Sequence, residues 1–173
     1  MNSGEIIRVF NDLFKEAHNT ILCGGADEPL YKVAHGDHGV NEIWFREDYA
    51  SSALHEISHW CIAGPDRRQR DDYGYWYIPN RNADQQALFE LVEAVPQGLE
   101  WVLSVAADVE FRVSSDNFDC IDNGTLRQQI QKEALHFIAA GIPARARQLQ
   151  FQFAKLSGVK NMTSQHHFED LPR

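Results

Sequence analysis

Apolar residues recur at helical spacing over residues 5–18. Ile6, Phe10, Leu13, Phe14 and Ala17 fall on one face, which predicts an amphipathic helix capped by Ser3 or Gly4. From Asn19 onward the pattern gives way to Gly24, Gly25, Asp27 and Pro29, a composition that predicts turns. Residues 31–33 are expected to form a short strand, and the polar run 35–39 a loop. Val40, Ile43, Trp44 and Phe45 mark a strand over 40–45, although the alternation is imperfect. Residues 48–63 read as a helix that Asp48 or Ser51 can cap. Gly64-Pro65 ends it, because proline cannot continue the hydrogen-bond ladder and glycine tolerates the turn.

A charged loop, 66–72, leads to the aromatic segment 73–78, which has strand composition. Residues 83–94 and 97–108 are expected as two helices, with Pro96 placed at the start of the second. A polar stretch, 116–124, reads as loop. Helical spacing returns over 125–140, stopped by Gly141-Ile142-Pro143, and again over 144–157 up to Gly158. The tail from about residue 158 is polar and expected to be loose. No internal repeat or low-complexity tract is visible. The expected fold is a single α+β domain over residues 1–173, mostly helical with a small sheet.

Composition narrows the class. With 173 residues, 43% hydrophobic and 24% charged, the chain is long enough for its own core and too apolar for wholesale disorder. Sixteen basic against 25 acidic side chains leave a net charge of −9. That argues against a nucleic-acid binder working through a general basic surface. Cys23, Cys61 and Cys120 are few, odd in number and far apart, which fits neither a disulfide framework nor a zinc finger. They point instead to a reducing compartment, and so to a cytoplasmic protein. No signal peptide or membrane span is expected.

The chemistry concentrates at His55-Glu56-Ile57-Ser58-His59, an H-E-x-x-H motif inside the helix expected over 48–63. Residues four apart are neighbours on a helix, so both imidazoles can face one ion, with Glu56 beside them as a general base toward a metal-bound water. A chain of this composition contains about 0.025 such motifs by chance, so the match is informative without being decisive. Leu54, Ile57 and Cys61 supply an apolar stripe to anchor the helix. An active metal needs a third protein ligand. Glu90 and Glu93, three apart on the next helix, are the candidates, and Glu93 lies among Val92, Ala94 and Val95. A buried carboxylate needs a partner, and a metal is one. Such a set accepts Zn for hydrolysis or Fe(II) for oxygen chemistry. Spacing alone does not choose, and a peptidase is the default reading.

Three blocks add a resemblance: ASSALHEISHWCIAG at 50–64, DYGYWY at 72–77 and FELVEAVPQGLEW at 89–101, followed by SSDN at 114–117. In sequence, order and spacing they resemble the elongation factor P hydroxylase family, most strongly over residues 28–143. The resemblance implies hydroxylation of the lysyl-lysine side chain of elongation factor P. It implies a fold similar to that of H-E-x-x-H metalloproteases (zincin-like), and a two-His-one-carboxylate metal set. By motif the ligands would be His55, His59 and a glutamate of FELVEAVPQ, with Glu93 preferred over Glu90. The expected reaction is then a monooxygenase one, with Fe(II) as metal, molecular oxygen as co-substrate and elongation factor P as protein partner.

Other features carry plainer alternatives. Tyr73, Tyr75 and Trp76 could line a slot for a cationic side chain, since aromatic faces attract ammonium groups; core packing competes with that reading. Arg67, Arg68 and Arg70 read as a solvated basic loop. His35 and His38 have H-x-x-H spacing in a glycine-rich loop, and His166-His167 lie in the tail. Cys61 is a packing residue that misfired oxygen chemistry could oxidise. Two rival functions use the same residues: a small zinc peptidase with Glu56 as base, and a non-catalytic metal-bound interaction domain.

Overall fold

In the computed structural model, residues 1–36, 39–71, 83–114 and 124–170 are described, and among 83–90 only Phe89 by its side chain. Helix α1, Ser3–His18, buries Ile6, Val9, Phe10 and Phe14 on the stripe the spacing requires. Its cap is Asn2, one residue earlier than expected. The Asn2 side chain accepts from the Glu5 N–H at 3.0 Å, and the Glu5 carboxylate accepts from the Asn2 N–H at 2.9 Å. This reciprocal pair satisfies two donors that a helix start otherwise leaves unpaired.

Strand β1, Thr20–Ala26, occupies the stretch expected to be turns. Gly24 and Gly25 concealed it. Both serve a bulge between Cys23 and Ala26, where the pairing register shifts. Gly25 takes φ +88°, and a Cβ on Gly24 would lie 2.8 Å from Phe45, so the bulge demands glycine where a propensity reading sees a turn. Strands β2, Leu30–Lys32, and β3, Asn41–Arg46, complete a three-stranded sheet in the order β1-β3-β2. β1 runs parallel to β3, with Leu22 opposite Ile43, and β2 runs antiparallel, with Tyr31 opposite Ile43.

Helix α2, Ala50–Ile62, follows β3 directly. Neither expected cap is used: Tyr49 is the N-cap, with no side-chain bond, and Ser52 instead accepts from the Arg46 N–H at 3.1 Å. The helix stops as expected, before Gly64-Pro65. Helix α3, Ala83–Ala107, is continuous through Pro96, where two helices were expected. Proline removes one N–H bond and costs about 3 kcal/mol in a helix interior. Here α3 packs against α2, α4 and α5 together, and burial of Leu99, Val102, Leu103 and Ala106 outweighs that cost. Helices α4, Thr125–Ala140, and α5, Ala144–Ser157, match their expected bounds.

One hydrophobic core links these elements into a mostly helical α+β domain. Phe10, Phe14 and Trp60 join α1 to α2, with ring centroids 5.0–5.1 Å apart. The tail is not loose throughout. Phe168, in a short 3-10 turn, is fully buried with its ring 5.1 Å from Trp101. Gln131 donates to the carbonyls of Phe168 and Glu169 at 2.8 and 2.9 Å. One large apolar side chain thus anchors a polar segment that composition alone marks as free. No described helix is long and apolar enough to cross a membrane.

Candidate metal centre

The inner end of the site is built by two helices. His55 and His59 stand one turn apart on α2, whose opposite side is locked down by the buried Leu54, Ile57, Ser58 and Cys61. Glu93 faces them from α3 and is 6% exposed. The two Nε2 atoms are 3.1 Å apart, and Glu93 Oε2 lies 3.8 Å from His55 Nε2 and 3.6 Å from His59 Nε2. Among the described residues this is the one group of metal-ligating side chains with converging donor atoms. The circle through those three atoms has a radius of about 2.0 Å. A single ion at metal–nitrogen and metal–oxygen distances of about 2.0–2.2 Å would therefore fit all three donors. Two imidazoles and one carboxylate suit Zn or Fe(II) equally.

The electrostatics agree with a cation site. Burial alone would raise the Glu93 carboxyl, but the His59 hydrogen bond and the two imidazole charges outweigh it. With a bond from Gln97, they hold it below the usual carboxylate range. Burial alone would lower His55; the hydrogen bond and charge of Glu100, joined by Glu56 and Glu93, reverse this and hold its imidazole at about 10. Glu56 lines the cleft beside the histidines. Burial raises its carboxyl, with the two imidazoles opposing and Glu93 and Glu100 reinforcing.

Glu100 is the residue the motif did not reveal. Its Oε2 lies 2.8 Å from His55 Nδ1, and the residue is 2% exposed. A signal was available: Glu93, Gln97, Glu100 and Ser104 repeat at helical spacing along an otherwise apolar α3, and all four are buried. Gln97 grips Ser114, donating to its carbonyl at 2.9 Å and accepting from its N–H at 3.1 Å. This holds the start of the SSDN stretch beside the centre.

The ion site opens into a cleft of about 1110 Å³. Asp27, Glu28, Asp48, Glu56 and Glu110 contribute acidic groups to its lining, and Tyr31, Tyr49 and Phe89 contribute aromatic ones. Arg46, Arg67, Arg68 and Arg112 also line it, with Arg112 paired to Glu110 at 3.0 Å, so that part of the basic loop belongs to the cleft wall; Arg70 does not line it and is exposed. Tyr73, Tyr75, Trp76, His38 and the Glu90 side chain lie outside the described residues. His35 is exposed, as are His166 and His167. Cys61 is 3% exposed, and burial, opposed by Arg145, pushes its thiol up to about 12. It is a protonated packing residue.

Comparison with known proteins places the chain in a family. The chain is 41% identical over 149 residues to the Elongation factor P lysine hydroxylase of Haemophilus influenzae, covering 84% of each chain. Residues 9–168, which include helices α2 and α3 and the docked Phe168, match the family described as Elongation factor P hydroxylase. The chain therefore belongs to the elongation factor P hydroxylase family.

Proposed function

We propose that this protein hydroxylates the lysyl-lysine side chain of elongation factor P, with Fe(II) held by His55, His59 and Glu93. The observation that carries the proposal is the donor triangle of two Nε2 atoms and one carboxylate oxygen, 3.1–3.8 Å on a side, at the inner end of an acidic cleft, in a chain of this family.

Bound Fe(II) would supply activation of molecular oxygen, which no protein side chain provides. The chain's own residues do the rest. His55, His59 and Glu93 would hold the ion, and the cleft beyond them would admit oxygen and substrate. The acidic lining of Asp27, Glu28 and Asp48 favours entry of a cationic side chain. Tyr73, Tyr75 and Trp76, between the two metal-bearing helices in sequence, are assigned to the aromatic walls of its slot. Glu56 sits beside the ion site and its carboxylate oxygen is assigned to hold the proton, or the ammonium group, nearest the reacting carbon. The protein partner delivers one side chain to a fixed point, so positioning carries much of the rate. The reducing setting inferred from the cysteines suits Fe(II) and a cytoplasmic enzyme.

The test is intact-mass analysis of lysyl-modified elongation factor P after aerobic incubation with the Fe(II)-loaded protein and a reductant. The expected result is the gain of one oxygen atom, absent with His55→Ala and Glu93→Ala. Peptide cleavage by the Zn-loaded protein, with no oxygen gained, would replace the hydroxylase with a peptidase using Glu56 as base. Metal uptake with neither reaction would favour a metal-bound interaction domain.

A further inference from the structure

We propose that Glu100 is the positioning residue of the metal centre. Its carboxylate holds His55 with Nδ1 as donor and Nε2 turned to the ion, and so sets how tightly metal is bound. This rests on the metal-centre reading above.

The argument is geometric. A carboxylate accepts hydrogen bonds, so the 2.8 Å contact keeps a hydrogen on His55 Nδ1 and leaves Nε2, which faces His59 and Glu93, as the nitrogen whose proton an arriving ion displaces. Glu93 and Glu100 are seven residues apart, two helical turns on one face of α3. A single rigid helix thus supplies both the direct carboxylate ligand and the brace for the first imidazole. The residue between them, Gln97, is committed to the backbone of Ser114 and does not compete for His55. Packing does not account for Glu100. Its chain neighbours Leu99 and Trp101 are buried, as are Val102 and Leu103 one turn on. A buried ion pair in such surroundings is often matched or bettered in stability when both partners are replaced by well-packed apolar residues. A carboxylate at this place is explained by what it does to His55.

The experiment uses the purified full chain, stripped of metal, with Co(II) and Zn(II) as probes. Affinity is read by competition with a chromophoric chelator, and ligand geometry by the visible absorption of bound Co(II). Two variants separate orientation from charge. Glu100→Gln keeps an oxygen acceptor for Nδ1–H and loses the charge; Glu100→Leu loses both without leaving a cavity. Partners of this kind are worth about 10–100-fold in metal affinity. Glu100→Leu is expected in that range, with an altered Co(II) spectrum. Glu100→Gln is expected to lose a measurable factor, smaller than about 10-fold, and to keep the wild-type band shape. Removing one partner of a buried pair is itself destabilising, so the metal-free variants are expected to melt below wild type, Glu100→Leu more than Glu100→Gln, and affinity and spectrum are read at a temperature where all of them are folded. Ser104→Ala, one turn further along the same buried stripe, should leave affinity unchanged.

Wild-type affinity and spectrum in both Glu100 variants would overturn the proposal while leaving the metal centre standing. Should Glu100→Leu fail to fold, Glu100→Gln decides: unchanged affinity with an unchanged spectrum overturns the proposal, and weaker binding with a retained fold supports it. An equal loss in Ser104→Ala would also overturn it, since general disturbance of α3 would then be the cause. If the wild-type chain binds neither ion, the metal-centre reading itself fails, and the proposal fails with it.

Discussion

Arg145 ties the end of α2 to α5, and removing it should loosen His59's turn. Its Nη2 lies 2.8 Å from the Trp60 carbonyl, 3.0 Å from that of Cys61 and 2.9 Å from that of Ala63. The last carbonyls of a helix have no partner within it, and a cation at that end is favoured. The guanidinium carbon also lies 4.6 Å from the centroid of the Trp60 ring. One nitrogen carries two hydrogens, so the three contacts count as about two bonds. At about 1.5–3 kcal/mol net for each charged bond, they sum to about 3–6 kcal/mol, and partial exposure of Arg145 favours the lower end. Stacking on Trp60 adds about 0.5–1 kcal/mol. Arg145→Ala is therefore expected to cost about 3–4 kcal/mol. At about 2–4 °C per kcal/mol for a chain of this length, Tm should fall by about 6–16 °C. Arg145→Lys keeps a charge but not the flat fork, and is expected to lose about half as much. Urea unfolding of the three proteins gives the free energies, and Co(II) titration of the folded variants reports whether His59 has moved. A loss below about 1 kcal/mol in Arg145→Ala, or a lysine variant equal to wild type, would refute the reasoning.

The close approach of α3 and α4 gives a second prediction. A Cβ on Gly98 would lie 2.7 Å from Glu133 Cβ and 2.9 Å from the Ala134 nitrogen. Gly98→Ala gains about 1 kcal/mol of helix propensity but forces two backbones apart at a cost of about 1–3 kcal/mol. A net loss of up to about 2 kcal/mol in urea unfolding is expected, and a gain would show that α4 yields freely. The third concerns pH. Burial raises the Cys61 thiol from 9.0 to about 12, so its contribution to stability is complete below pH about 9 and is lost as pH rises through 12. Iodoacetamide at pH 8 should label Cys61 only in the unfolded protein, as read by peptide mass; labelling of the native chain would contradict the burial.

Legibility followed the range of the interactions. The H-E-x-x-H pair could be read because i and i+4 meet on any helix, and α4 and α5 because their stripes and their glycine stops are local. β1 could not, because Gly24 and Gly25 belong to a bulge whose reason is the Phe45 ring and the Glu47 carbonyl across the sheet. Pro96 looked like a boundary because its cost is local, whereas the packing that overrides it comes from three other helices.

The same division runs through the site. By itself the sequence determined the residue types of the centre: two histidines at helical spacing, an adjacent Glu56, and a carboxylate on the following helix. It also determined the family, through blocks whose order and spacing match over most of the chain. Tertiary structure alone decided that Glu93 stands within 4 Å of both imidazoles, that Glu100 reaches His55 from two turns further along α3, that Arg145 holds the far end of α2 and that Phe168 pins the tail. Each of these joins side chains far apart in sequence, except the Glu93–Glu100 repeat. No local period encodes where two helices cross. That crossing is set by how the buried faces of α2, α3, α4 and α5 fit together, and it turns a motif into a site.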